Sequence, residues 1–260
     1  MEVEFEPVEA NLRDSFRLLA SCRPSGEVRE TPGVSIACAG VTFQMFNAAF
    51  LSTPVPSDTE LKRRVASASV FFSARGCEWS YWICLGLLEG KLPGAARGVL
   101  RKYGLNLASE LPGMIADRLL PPSRPLPQLE IRRVGDAATQ DAFCDIGSAC
   151  FNVPKPWFRE VFEVPALWRD LAGYVGYLEG RPVSTAAIIP CEGVIGVYNV
   201  ATLPEMRHRG CAEVLMRHAV EEARARTGFE RSVLQSTALG RRMYERMGYQ
   251  VVTRFEVYSS

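Results

Sequence analysis

Histidine is almost absent from this chain, which has only His208 and His218. No C-x-x-C pair occurs among Cys22, Cys38, Cys77, Cys84, Cys144, Cys150, Cys191 and Cys211, so no zinc or other metal site is expected. Most of these cysteines lie within apolar runs, which points to buried free thiols and away from a disulfide framework. An excess of one charge is missing too. Thirty basic against 29 acidic residues leave a net charge of +1, and no overall field draws the chain to nucleic acid or to an anionic membrane. Long apolar runs are also lacking: Trp79 to Leu88 is about half the length that crosses a bilayer. The opening MEVEFEPVEANL is acidic and has no apolar signal-peptide core, so a cytoplasmic protein is expected.

What is present is an ordinary globular composition, 47% hydrophobic and 23% charged. The 260 residues fit two domains, each long enough to bury its own core. Pro121, Pro122, Pro125 and Pro127 crowd the stretch PPSRPLPQ, which can neither continue a helix nor join a central strand. The expected domains are therefore 1–126 and 127–260. In the first, Val3–Val8 reads as a strand and Ala10–Ala20 as a helix, followed by a polar connection. Strands are expected over 34–40 and 46–53. Asp58 would cap a helix over 59–74, a strand follows over 78–87 and a helix over 95–103, and 111–120 is ambiguous. In the second, a strand over 129–134 precedes helices over 136–150 and 157–162. A hairpin turning at Glu179-Gly180 then leads into the most informative segment.

That segment is VYNVATLPEMRHRGCAEVLMRHAVEEA, residues 197–223. Its β-branched start stops at Pro204, as a strand does where a backbone donor is lost. Cys211, Leu215, Ala219 and Ala223 then recur at helical spacing. Strand, tight loop and helix suit an anion, because the first turn of a helix has unpaired N–H groups and partial positive charge. Gly210 lacks a Cβ, Ala212 is small, and Arg207 and Arg209 add charge, which together read as a pyrophosphate cradle.

The pattern R-x-x-G-x-A after an apolar strand resembles the coenzyme A signature of the GNAT superfamily of N-acyltransferases. The run Met243-Tyr244-Glu245-Arg246-Met247-Gly248-Tyr249 resembles a second motif of that family. The resemblance implies an α/β mixed fold, here two tandem GNAT-like domains, each a twisted mixed β-sheet flanked by helices. It also implies that acetyl-CoA is held by Val200, Ala201 and Thr202 of a bulged, splayed strand and by the loop Arg207, His208, Arg209, Gly210, Cys211 and Ala212. The His208 and His218 side chains themselves are expected to be structural or solvent-facing. Tyr244 would be the general acid for the leaving thiolate. The acceptor would be a primary amine on a small molecule, an amino acid or a protein, and the protein a monomer or small homo-oligomer.

The two halves also resemble each other. NAAFLSTP matches YNVATLP, the helix from Leu61 matches that from Cys211, WSYWICL matches RSVLQ, and VLRKYGL matches MYERMGY. In the first half the cradle is replaced by Pro56-Ser57-Asp58-Thr59-Glu60-Leu61-Lys62, and Leu100 stands at the position of Tyr244. One active site is therefore expected, in the second half. The general base stays open between Glu192, Glu163, a water held by Asn199, Ser236 or Thr237, and simple binding of the neutral amine. Arg241 and Arg242 read equally as a solvated face or as phosphate ligands, and Trp157, Phe158, Phe162 and Trp168 as core. The alternative to an N-acetyltransferase is an acyl-CoA-binding regulator or scaffold without catalysis.

Overall fold

The structure, a computed structural model, describes residues 5–260. Its contacts group into two units: the first runs to Gly113 and takes back Val251–Ser260, and the second is Met114–Gln250. Relative to a division at 126/127, residues 114–126 and the last strand change sides.

The first unit opens with α1 (Glu6–Ser21), where Pro7 sits in the first turn and Val8, Leu12, Phe16 and Leu19 form the buried stripe. Of the strand expected over Val3–Val8, residues 3 and 4 lie outside the described residues and the rest enters this helix. The four-residue apolar spacing and a proline that needs no N–H donor outweigh a short alternation. Next come β1 (Glu27–Thr31), β2 (Val34–Cys38), β3 (Asn47–Leu51), α2 (Asp58–Arg75), β4 (Ser80–Cys84), α3 (Leu92–Arg101) and β5 (Asn106–Ala116). Strand β1 replaces part of the expected polar connection. It lies at the sheet edge, antiparallel to the fully buried β2, and so carries no apolar run of its own. Ser57, not Asp58, caps α2, its hydroxyl accepting from the Glu60 N–H at 3.2 Å.

The second unit has β6 (Glu130–Arg133), α4 (Ala137–Phe151), α5 (Lys155–Phe162), β7 (Ala172–Leu178), β8 (Arg181–Cys191), β9 (Val194–Thr202), α6 (Cys211–Thr227), β10 (Ser232–Gln235) and α7 (Arg241–Arg246). Helix α4 starts in a capping box between Asp136 and Thr139. Phe162 is buried against Phe143 and Phe158 against Phe162, and Trp168 packs edge-on to Phe143, so these three are core, whereas Trp157, expected in the core with them, is exposed. Burial of each such side chain contributes about 1.5–3 kcal/mol. Helix α7 starts only at Arg241, because the Thr237 carbonyl turns the chain by accepting from the Gly240 and Arg241 N–H groups.

The repeat legible in the sequence is present in the strand order. In one unit β1-β2-β3-β4 and in the other β7-β8-β9-β10 are neighbours, with β3 parallel to β4 and β9 parallel to β10. The last strands are exchanged between the copies. β11 (Gln250–Ser259), at the end of the second repeat, runs antiparallel to β4, pairing Phe255 with Cys84 and Ser259 with Ser80. Beside β10, the corresponding place in the second unit is held by the end of β5, Met114–Ala116.

Candidate active site

Strand β9 is where the second unit opens. Its antiparallel ladder with β8 carries an extra residue: Thr185 pairs with Ala201 and Ala187 with Tyr198, and Asn199 takes a φ of 48°. Hydroxyls on β8 hold this bulge, with Thr185 Oγ1 donating to the Asn199 carbonyl at 3.0 Å and Ser184 Oγ to that of Ala201 at 2.7 Å. On the other side, the parallel ladder with β10 joins Ser232 to Ile195 and Val233 to Gly196. Among the described residues it goes no further, so the strands part from Val197 onward.

A cavity of about 430 Å³ lies at this divergence. Val200, Ala201 and Thr202 of β9 form one wall, and His208, Gly210, Cys211 and Ala212 lie at the start of α6. Thr237, Gly240, Met243 and Tyr244 stand opposite. Of the residues singled out in the sequence, Arg209 is not among the lining residues. Arg207 does line the cavity, but its Nε donates back to the Thr202 carbonyl at 3.2 Å. Its guanidinium also meets the Cys150 thiol, whose pKa burial raises and Arg207 partly offsets. Arg207 therefore secures the end of β9 as well as adding charge.

Helix α6 begins without a side-chain cap, since its N-cap is Gly210 at a φ of 92°. The first-turn N–H groups thus have no competing side chain from the N-cap. A Cβ at Gly210 would lie 3.1 Å from Pro127 Cδ and 3.2 Å from Leu126 Cδ2. The glycine is needed for the left-handed backbone and for this close approach, and not only to clear space for an anion. Glu213, the sole carboxylate along the cavity among the described residues, is held by Arg217 at 2.7 Å.

Tyr244 is 7% exposed and packs edge-to-face with Tyr249, with ring centroids 6.0 Å apart. Burial, and then the neighbouring Tyr249, raise its pKa above the ordinary tyrosine value. The phenol is therefore a donor at neutral pH. Gly240 allows this placement, because a Cβ there would come within 2.7 Å of the Tyr244 ring. Neither carboxylate proposed as base lies at the cavity. Glu192 is in the β8–β9 turn with a φ of 54°, at the far end of a strand roughly 25 Å long. Glu163 ends α5 and accepts from Arg159 at 2.7 Å. Sequence reasoning missed Arg124, Cys150 and Phe151, which line the cavity from other segments, and did not assign a role to Leu239 and Arg246, which line it on either side of Tyr244.

The matching place in the first unit is shut. The Val55 N–H donates to the Leu87 carbonyl at 2.7 Å and the Glu89 N–H to that of Val55 at 3.3 Å, closing β3 and β4 beyond their ladder. Ser57 caps α2, and Asp58 and Glu60 pair with Lys62 and Arg63 in its first turns.

A sequence model of the acetyltransferase (GNAT) family matches residues 141–249, which include the whole of β9, α6 and α7. This domain belongs to the GNAT family. The GNAT domain is thus that of an acetyltransferase, and the open β9–β10 divergence lies inside the matched segment. Comparison with curated proteins finds no match. Among solved structures, a GCN5-related N-acetyltransferase from Kribbella flavida is similar over 98% of this chain and 95% of its own, at 21% identity and a TM-score of 0.72. A conserved protein of unknown function from Staphylococcus epidermidis covers 90% of this chain and 94% of its own, at 13% identity and a TM-score of 0.67. A tandem GNAT protein from the clavulanic acid biosynthesis pathway covers 100% of this chain and 96% of its own, at 9% identity and a TM-score of 0.57. These likenesses show the fold over both units. No helix among the described residues is long and apolar enough to cross a membrane, and no cluster of three metal-binding side chains occurs among them.

Proposed function

We propose that the second unit transfers an acetyl group from acetyl-CoA to a primary amine by direct attack of the amine on the thioester. The observation that carries this reading is the uncapped start of α6, which opens on the same cavity as the splayed edge of β9 and the buried phenol of Tyr244. The cavity suits the cosubstrate in each part: main-chain groups of Val200 to Thr202 for the pantetheine amides, and N–H groups from Gly210 to Ala212 for the pyrophosphate. The thioester supplies an activated acyl carbon and a thiolate leaving group. Tyr244, kept protonated by burial, donates the proton that the thiolate takes. Among the described residues no free carboxylate lines the cavity, so the amine arrives neutral; the proton its nitrogen sheds as the C–N bond forms passes to water near Thr237, and water returns a proton to the Tyr244 phenolate.

The test is calorimetric titration with acetyl-CoA, followed by product detection across an amine panel. One acetyl-CoA per chain is expected, with one acylated product. Ala212→Glu is the variant of choice, since it places bulk and negative charge in the first turn of α6 without the backbone strain of a change at Gly210. It should abolish binding in a folded protein. Unaltered affinity in that variant, or no binding by the native chain, would overturn the assignment. Tight binding without transfer to any amine would favour an acyl-CoA-binding regulator.

A further inference from the structure

We propose that Arg124, on the proline-rich connection before β6, is a ligand for the nucleotide phosphates of CoA, an assignment that rests on the acetyl-CoA reading of this cavity. The connection is laid directly on the cradle loop. Arg124 Nη1 donates to the His208 carbonyl at 3.3 Å, and Leu126 and Pro127 fill the space that a Cβ at Gly210 would need. Farther back, the Leu120 carbonyl accepts from Arg217 of α6 at 2.7 Å, and its N–H donates to the Met247 carbonyl at 2.9 Å. The segment thus crosses from the end of α7 to the start of α6.

The charges around the cavity indicate what Arg124 is for. Arg118, Arg217 and Arg241 each pair with a carboxylate: Glu230, Glu213 and Glu245 respectively. Arg124, Arg242 and Arg246 line the cavity, and among the described residues none of the three has a carboxylate partner. Unpaired guanidinium groups along one cavity, next to an uncapped helix start, make a place where an anion is stabilised from several sides. A guanidinium carries five N–H donors, and the bond to His208 uses one, so the rest of the Arg124 fork is available to phosphate oxygens. Pro125 follows it directly, and Pro121, Pro122 and Pro127 hold the backbone on either side. Ordering this segment around a ligand therefore costs little conformational entropy.

The experiment compares CoA affinity by calorimetry in the native chain, Arg124→Ala, Arg124→Lys and Arg118→Ala, with the melting temperature of each as a check on folding. Arg118 lies on the same connection but pairs outside the cavity. Arg124→Ala should bind CoA about tenfold to a hundredfold more weakly, the loss expected for a charge-assisted hydrogen bond. Arg124→Lys should fall between, because it keeps the charge and loses the fork. Arg118→Ala should match the native protein. Native binding of CoA with equal affinity in Arg124→Ala would overturn this assignment and leave the acetyl-CoA reading standing. Tighter binding in Arg124→Ala would overturn it too, showing the connection to be a competitor for the cradle. Failure of the native chain to bind CoA would remove the acetyl-CoA reading itself.

Discussion

Tyr244 shows how much one residue's role depends on its surroundings. As a motif residue it had only its place in M-Y-E-R-M-G-Y; the structure adds burial, a neighbouring tyrosine and a glycine that lets the ring fold back. Tyr244→Phe is expected to lower turnover about a hundredfold while acetyl-CoA affinity stays within about twofold, measured by steady-state kinetics beside calorimetry. The raised pKa fixes the sign of a pH effect. Since burial favours the protonated phenol, turnover should show no fall from Tyr244 ionisation as pH rises to the ordinary tyrosine value of about 10. A decline that Tyr244→Phe removes, centred below that value, would contradict the assignment. The place of Gly210, Ala212 and Tyr244 along the cavity was legible because each sits in a short contiguous motif. Arg124 and Cys150 were not, since they come from segments far away in sequence and are brought to the cavity only by tertiary packing.

At the scale of elements, the two copies differ by what happens at one helix start. Helix α2 is capped and its first turns are filled by its own carboxylates, whereas α6 begins on a bare glycine. Ser57→Ala should cost the first unit about 1 kcal/mol, read from the urea midpoint, with no effect on acetyl-CoA affinity. Glu60 gives that unit an acid sensitivity of definite sign. Hydrogen bonds from Arg63 and then Arg64 lower its pKa to about 2. Its contribution is therefore complete above the unfolded carboxylate value of about 4.3 and is lost as pH falls toward 2. Glu60→Gln should flatten that part of the acid-denaturation profile. That the start of α2 is filled by its own carboxylates could be read from Asp58 and Glu60 in the sequence. The backbone bonds that close β3 on β4 could not, because main-chain pairing leaves no mark on side-chain identity. Strand β1 was hidden for a related reason: half-exposed at an edge, it needs no apolar face.

For the whole molecule, the exchange of last strands decides which pieces are units of stability. A cut at the proline-rich connection, natural as it is from composition, separates each unit from a strand segment it uses. Residues 127–260 made alone would carry β11 without β4 and would lack the end of β5 beside β10. That fragment should be aggregated or molten, as judged by near-ultraviolet circular dichroism and sedimentation, while the full chain is folded. A well-ordered monomeric fragment would show that the exchange is dispensable. The repeat itself was legible from sequence because its motifs recur in the same order, but the exchange was not: β5 and β11 each follow the expected helix, and only pairing tells which sheet they join.

The exchange also sets an order on biosynthesis. The first unit is translated first, yet the strand that flanks β4 follows the whole of the second unit in the chain. Until then the flank of β4 is an open edge, the kind of surface that recruits other strands. A nascent chain therefore holds its first unit incomplete through the synthesis of the entire second one. Loss of β11 alone, after the second unit is whole, leaves the earlier-made unit as the damaged one.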